Sequence, residues 1–150
     1  MKKLTLLIML LYGQLFALDT QSTLKIYHQI FSAILHKEKI KVYTQDRELQ
    51  EIFKYSERIL PVSQPELSDI VIVGNSHNYE KIIHQLTEQK KKEDVIIFAT
   101  DYHLLKESPL IIGALYWKKG RSQLLFIKPR LEQYYIELPK AYEHFIVESL

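Results

Sequence analysis

The sequence predicts an α/β fold: a single domain whose mixed, mostly parallel sheet is flanked by helices and completed by a C-terminal β-hairpin and a closing helix. Three observations carry that reading. Ile70–Val73 in "SDIVIVGN" and Val95–Ala99 in "DVIIFAT" are short, continuous apolar runs, the pattern of strands buried on both faces. Segments of helical periodicity separate the strands, so strand and helix alternate as they do in a parallel sheet with crossovers. Finally, "LIIGALYWKKGRSQLLFIKPRLE" reads as two apolar strands joined by a glycine turn.

The elements follow in order. Residues 1–17 have a positive start at Lys2 and Lys3, an apolar run from Leu4 to Leu11, and a small residue at Ala17. That is the pattern of a secretory signal, and its uncharged run is shorter than the roughly 20 residues that cross a bilayer as a helix. Cleavage after Ala17 is expected, leaving residues 18–150 as one exported α/β domain with no integral membrane segment. From Thr23, the positions Leu24, Tyr27, Ile30, Phe31 and Ile34 recur at helical spacing up to the charged "HKEK". "KIKVY" then alternates as a strand, and Asp46 caps a helix carrying Leu49, Ile52 and Phe53. "RILPV" is a short strand that Pro61 confines to an edge or to its own end. After the Ile70 strand, Tyr79, Ile82, Ile83 and Leu86 mark a helix that ends in the solvated run Lys90 to Asp94. Beyond the hairpin, Tyr142, Phe145 and Ile146 fall on one face of the expected closing helix.

Composition narrows the function. Without Lys2 and Lys3 the basic count falls from 20 to 18, matching the 18 acids, so the exported chain is formally neutral and lacks the basic excess that nucleic-acid binding needs. The chain has no cysteine, which removes disulfides, thiol chemistry and lipoprotein attachment. A cysteine-free exported domain of this size fits the bacterial periplasm, and it is too short for a two-lobed clamshell.

No catalytic, metal or cofactor motif emerges. His77 and His84 stand two helical turns apart, too far to share an ion without a ligand between them, and His28 and His144 suit polar positions on amphipathic helices. Ser63, Ser76, Ser108 and Ser122 lack a nucleophile-elbow context, while Asp46, Asp69, Asp94 and Asp101 stand where carboxylates cap backbone. One ligand site stays open: Asn75, Ser76 and Asp101 follow the carboxyl ends of strands, where a small periplasmic solute-binding module related to one lobe of a binding protein would hold its ligand.

The hairpin has a stronger signal. Gly120 permits a tight turn, and Lys118, Lys119 and Arg121 are its charged shoulders. Tyr116 and Trp117 beside these cations, with Arg130 beyond the second strand, have the composition of an interface centre with a cationic rim. Trp117 has two readings here, as a core side chain or as a contact for a partner, and self-association through the same surface is a further possibility.

The order of elements resembles that of the YfiR family. The matching features are the apolar helix after the signal, "IKVY", "SDIVIVGN" with its helix, "DVIIFATD", and "IIGALYWKKGRSQLLFI" with its leading glycine and Gly-Arg turn. The chain departs from the family in having Ile112-Gly113 for a Gly-Gly pair, Lys128-Pro129 after the closing strand, and no cysteines. The resemblance implies a small periplasmic protein that represses a membrane-bound diguanylate cyclase by binding its periplasmic part. Redox control does not carry over.

Overall fold

The computed structural model describes the backbone from Lys2 and side chains from Asp19 to Leu150. The expected signal segment, residues 1–17, lies outside the residues whose side chains are described. Among the described residues, seven strands form one sheet in the order β2-β1-β3-β4-β5-β6-β7. They are β1 (Ile40–Thr44), β2 (Ile59–Pro61), β3 (Ile70–Val73), β4 (Ile96–Ala99), β5 (Ile111–Lys118), β6 (Arg121–Ile127) and β7 (Ile146–Val147). The first five run parallel, β6 turns back antiparallel to β5, and β7 lies parallel to β6. The expected mixed, mostly parallel α/β sheet is therefore the observed one, with the proline-bearing β2 at an edge.

Every residue of β3 and β4 is buried, because helices cover both faces. On one face lie α1 (Lys2–Leu35) and α2 (Arg47–Phe53), packing Phe31, Ile34, Ile52 and Phe53 against Val42, Ile70, Ile72 and Phe98. On the other lie α3 (Ser76–Glu88) and α4 (Tyr102–Glu107), packing Ile82, Leu86, Leu104 and Leu105 against Val71, Val73, Ile97 and Ala99. The alternating side chains of each strand supply both cores. Aromatic rings join the layers of the first face: Tyr27 meets Phe53 edge-on at 5.5 Å, and Phe31 meets Phe98 edge-on at 5.7 Å.

Side-chain oxygens close the helix starts. Asp46 accepts the amides of Glu48 and Leu49, Asn75 that of Asn78, and Asp101 that of His103.

Two features at the C-terminal end position the surface discussed below. The β4–β5 register shifts by one residue, from Ile97 opposite Ile111 to Phe98 opposite Gly113. A Cβ on Gly113 would stand 2.5 Å from the Leu125 carbonyl oxygen and 2.7 Å from the Phe126 ring, so only glycine lets Phe98 and Phe126 fill that space. The second feature is the ending. In place of a closing α-helix, Lys140–Phe145 forms a 3₁₀ helix and Ile146 opens β7, paired with Phe126. Tyr142, Phe145 and Ile146 still pack on the first core. Their spacing satisfies a helical face, but two β-branched residues able to extend the sheet win at the end of the chain.

Candidate docking surface

β4 ends at Ala99, whose partner on β5 is Ala114, yet β5 continues to Lys118. Leu115–Lys118 and their partners on β6 therefore project past the sheet as a two-stranded ribbon. Four residues at roughly 3.3 Å each make the overhang about 13 Å. The ribbon closes through Lys119 (φ 51°) and Gly120 (φ 74°). Two central residues with positive φ form the type I′ turn that matches strand twist, which places Lys118 directly opposite Arg121.

The pleat divides the ribbon into two faces. On the face towards α1, Leu115 stands opposite Leu124 and Trp117 opposite Ser122. Trp117 is 77% exposed, so the core reading of this residue does not hold. Its position explains why: beyond Ala99 no strand continues on the β4 side of β5, and the alternation that buries Gly113 and Phe126 continues into solvent. Tyr116 points to the opposite face and packs on Tyr102 at 5.3 Å between ring centroids, with the Lys106 ammonium also 5.3 Å from the Tyr102 ring. Desolvation, and more weakly the neighbouring Tyr102, push the Tyr116 hydroxyl above its ordinary pKa. Lys118, Lys119 and Arg121 are all exposed at the tip.

Arg130 does not join this rim. It lies on α5 (Lys128–Gln133), under the amino end of β5, and donates from Nη1 to the Ile111 carbonyl and from Nη2 to the Leu105 carbonyl, each at 2.8 Å. Its partial burial holds the guanidinium pKa below the ordinary arginine value. It is a brace between α4, β5 and α5, at the opposite end of β5 from Trp117.

Between ribbon and helices lie two adjoining clefts that share Ile26, Leu115 and Ser122. The upper one, about 440 Å³, is lined by the apolar side chains of Tyr27, Leu49, Ile52, Leu115 and Trp117 and by the acidic residues Asp19, Asp46 and Glu48. The lower one, about 820 Å³, runs between Ile30 and Ala33 of α1 and Leu124, Tyr142 and Phe145. Ile26, a large apolar side chain 39% exposed, stands where they meet. Sequence reasoning singled out the ribbon but missed the clefts, because their walls come from α1, α2 and the hairpin, which are distant in the chain. The one available signal was length: an eight-residue strand after two four-residue strands must overhang its neighbour.

The polar positions at the strand ends are engaged elsewhere. Asn75 and Asp101 cap α3 and α4, and the Ser76 hydroxyl donates to Glu107 Oε2 at 2.6 Å. The His103 backbone amide, assisted by its ring nitrogen 2.9 Å away, holds the Asp101 carboxyl below the usual carboxylate range. These groups stabilise the carboxyl edge of the sheet by local bonds.

No protein-family model matches the chain, and no curated protein matches it. Among solved structures, it is similar to a conserved domain protein from Vibrio cholerae O1 biovar El Tor strain N16961, with a TM-score of 0.55 and 14% identity. The match covers 79% of this chain and 57% of that one, so the chain spans little more than half of its neighbour's length. At that identity the likeness concerns the fold. Among the described residues, no helix is long and apolar enough to cross a membrane.

Proposed function

We propose that this chain is a non-enzymatic periplasmic regulator that docks through its ribbon on the periplasmic part of an inner-membrane signalling protein of the diguanylate cyclase kind, and represses it. The observation that carries this reading is Trp117, 77% exposed on an overhanging ribbon and flanked by three exposed cations. A tryptophan held out in water on a two-stranded ribbon is the kind of anchor that dominates binding energy at interfaces, and the cations around it suit the steering of an acidic partner surface. The signal pattern in residues 1–17 and the resemblance to YfiR proteins support the compartment and the partner class.

Affinity capture of the exported protein from solubilised inner membranes, followed by mass spectrometry, tests the proposal. Recovery of one integral signalling protein is expected, and Lys119→Glu with Arg121→Glu should reduce that recovery most strongly at low ionic strength. Recovery unchanged by the double reversal would remove the ribbon tip from the contact. The mass of the exported chain provides a second test: it should correspond to a start at Leu18, and a chain retaining Met1 in the membrane would contradict export by cleavage.

A further inference from the structure

The upper cleft combines acidic groups with aromatic surface. Asp19, Asp46 and Glu48 line it, and among the described residues none of these three carboxylates is ion-paired with a cation of the chain. Asp46 uses Oδ1 to hold the amides of Glu48 and Leu49, which leaves its second oxygen uncommitted. Trp117 and Tyr27 line the same cleft. The Tyr27 hydroxyl adds an independent observation. Its side chain is only 5% exposed, yet among the described residues the hydroxyl forms no hydrogen bond. Every fully buried side-chain oxygen or nitrogen there has a partner, so this hydroxyl is open to the cleft that Tyr27 lines. A polar group left so in an otherwise buried side chain is costly unless water or a ligand satisfies it.

We infer that the upper cleft is a binding site for a small organic ammonium ion, free in solution, whose charge lies among the carboxylates and against the Trp117 ring and whose N–H groups donate to the Tyr27 hydroxyl. Each part of such a ligand meets a group suited to it. A cation gains from the face of an aromatic ring, tryptophan best of all. A tyrosine oxygen accepts a hydrogen bond, and a carboxylate accepts a charge-assisted one. Burial, followed by the negative charges of Asp46 and Glu48, pushes the Tyr27 hydroxyl well above the ordinary tyrosine pKa, so it stays neutral and the field of both carboxylates reaches it. Leu49, Ile52 and Leu115 offer apolar surface to the carbon body of the ligand, and about 440 Å³ falls within the range of small-molecule sites. Three carboxylates favour a ligand with two ammonium groups over one with a single group, and they repel anions. The site belongs to the isolated chain and does not rest on the docking reading.

Titration of the purified protein with diaminobutane near neutral pH tests the inference, with butanediol as the uncharged counterpart of the same length. Trp117 is the single tryptophan, so its emission should change saturably with the diamine and stay constant with the diol. Magnesium chloride at matched ionic strength should not reproduce the change. Calorimetry then ranks the variants. Glu48→Gln should weaken diamine binding about fivefold, the upper range for an exposed charge pair. Tyr27→Phe, which keeps the ring against Phe53 and removes only the hydroxyl, should weaken it by roughly two- to tenfold. Trp117→Leu should cost roughly two- to fivefold, the scale of an exposed cation–π contact. Glu80→Gln, an exposed acid on α3 across the sheet, should bind as the wild-type chain does. Asp46 is left in place because it caps α2. Emission that the diol or magnesium changes as the diamine does would overturn the inference, and so would no saturable change with the diamine. Binding that survives Glu48→Gln and Tyr27→Phe undiminished would also overturn it. If Tyr27→Phe fails to fold, Glu48→Gln on the exposed first turn of α2, read beside the diol, still decides.

Discussion

Phe98→Ala is expected to lower the free energy of unfolding by about 3–5 kcal/mol, the scale of a large aromatic cavity in a core that cannot fully collapse. Phe98 is fully buried at the centre of β4, paired with Ile72 on one side and Gly113 on the other. Its ring meets Phe31 of α1 edge-on at 5.7 Å and Phe126 of β6 at 6.1 Å. It therefore joins the long helix, the parallel sheet and the hairpin in one contact, and the backbone of two neighbouring strands prevents collapse around the gap. Urea unfolding followed by circular dichroism measures the effect. Phe98→Leu should cost clearly less, because most of the volume is kept.

Arg130→Ala is expected to cost about 2–4 kcal/mol. A hydrogen bond from a charged group contributes about 1.5–3 kcal/mol, and this guanidinium makes two, to the carbonyls of Leu105 and Ile111. Leu105 lies in the last turn of α4, where carbonyls have no partner within the helix, so the arginine satisfies a group that the short helix leaves open. Arg130→Lys should recover only part of the loss, since a single ammonium cannot span two carbonyls in the planar fork of a guanidinium. Because Arg130 stands at the far end of β5 from the tip, partner binding by the folded fraction should be unaffected. Unfolding and binding measured on the same variant separate a brace from a rim residue.

Local chemistry made much of this fold legible. The β-branched run of Ile70–Val73 read as a strand covered on both faces, and Asp46, Asn75 and Asp101 had the short polar side chains that close helix starts. The Lys119-Gly120 turn was readable because a two-residue hairpin loop requires positive φ. What remained hidden depended on where elements end relative to one another. Strand alternation is the same inside a sheet and in an overhang, so Trp117 could be placed only once β4 was seen to stop at Ala99. Arg130 follows the hairpin closely in sequence, yet α5 carries it below the sheet to the carbonyls of Leu105 and Ile111. At the end of the chain, Tyr142, Phe145 and Ile146 fit a helical face, but pairing with Phe126 turned Ile146 into a strand. The clefts needed the tertiary structure outright, since Ile26 and Leu115 meet only after the hairpin folds back beside α1.

The central claim is that the ribbon is a docking surface and Trp117 its anchor. The most direct test is Trp117→Ala, with thermal unfolding and affinity for the captured membrane partner measured on the same protein. An exposed side chain away from special structural features changes stability by about 0.5 kcal/mol or less, so the unfolding transition should stay in place. Affinity should fall by about 2 kcal/mol or more, the scale of an interface hot spot. A variant that binds its partner as tightly as the wild-type chain would contradict the account, and so would one whose unfolding transition drops by the several kcal/mol of a core truncation.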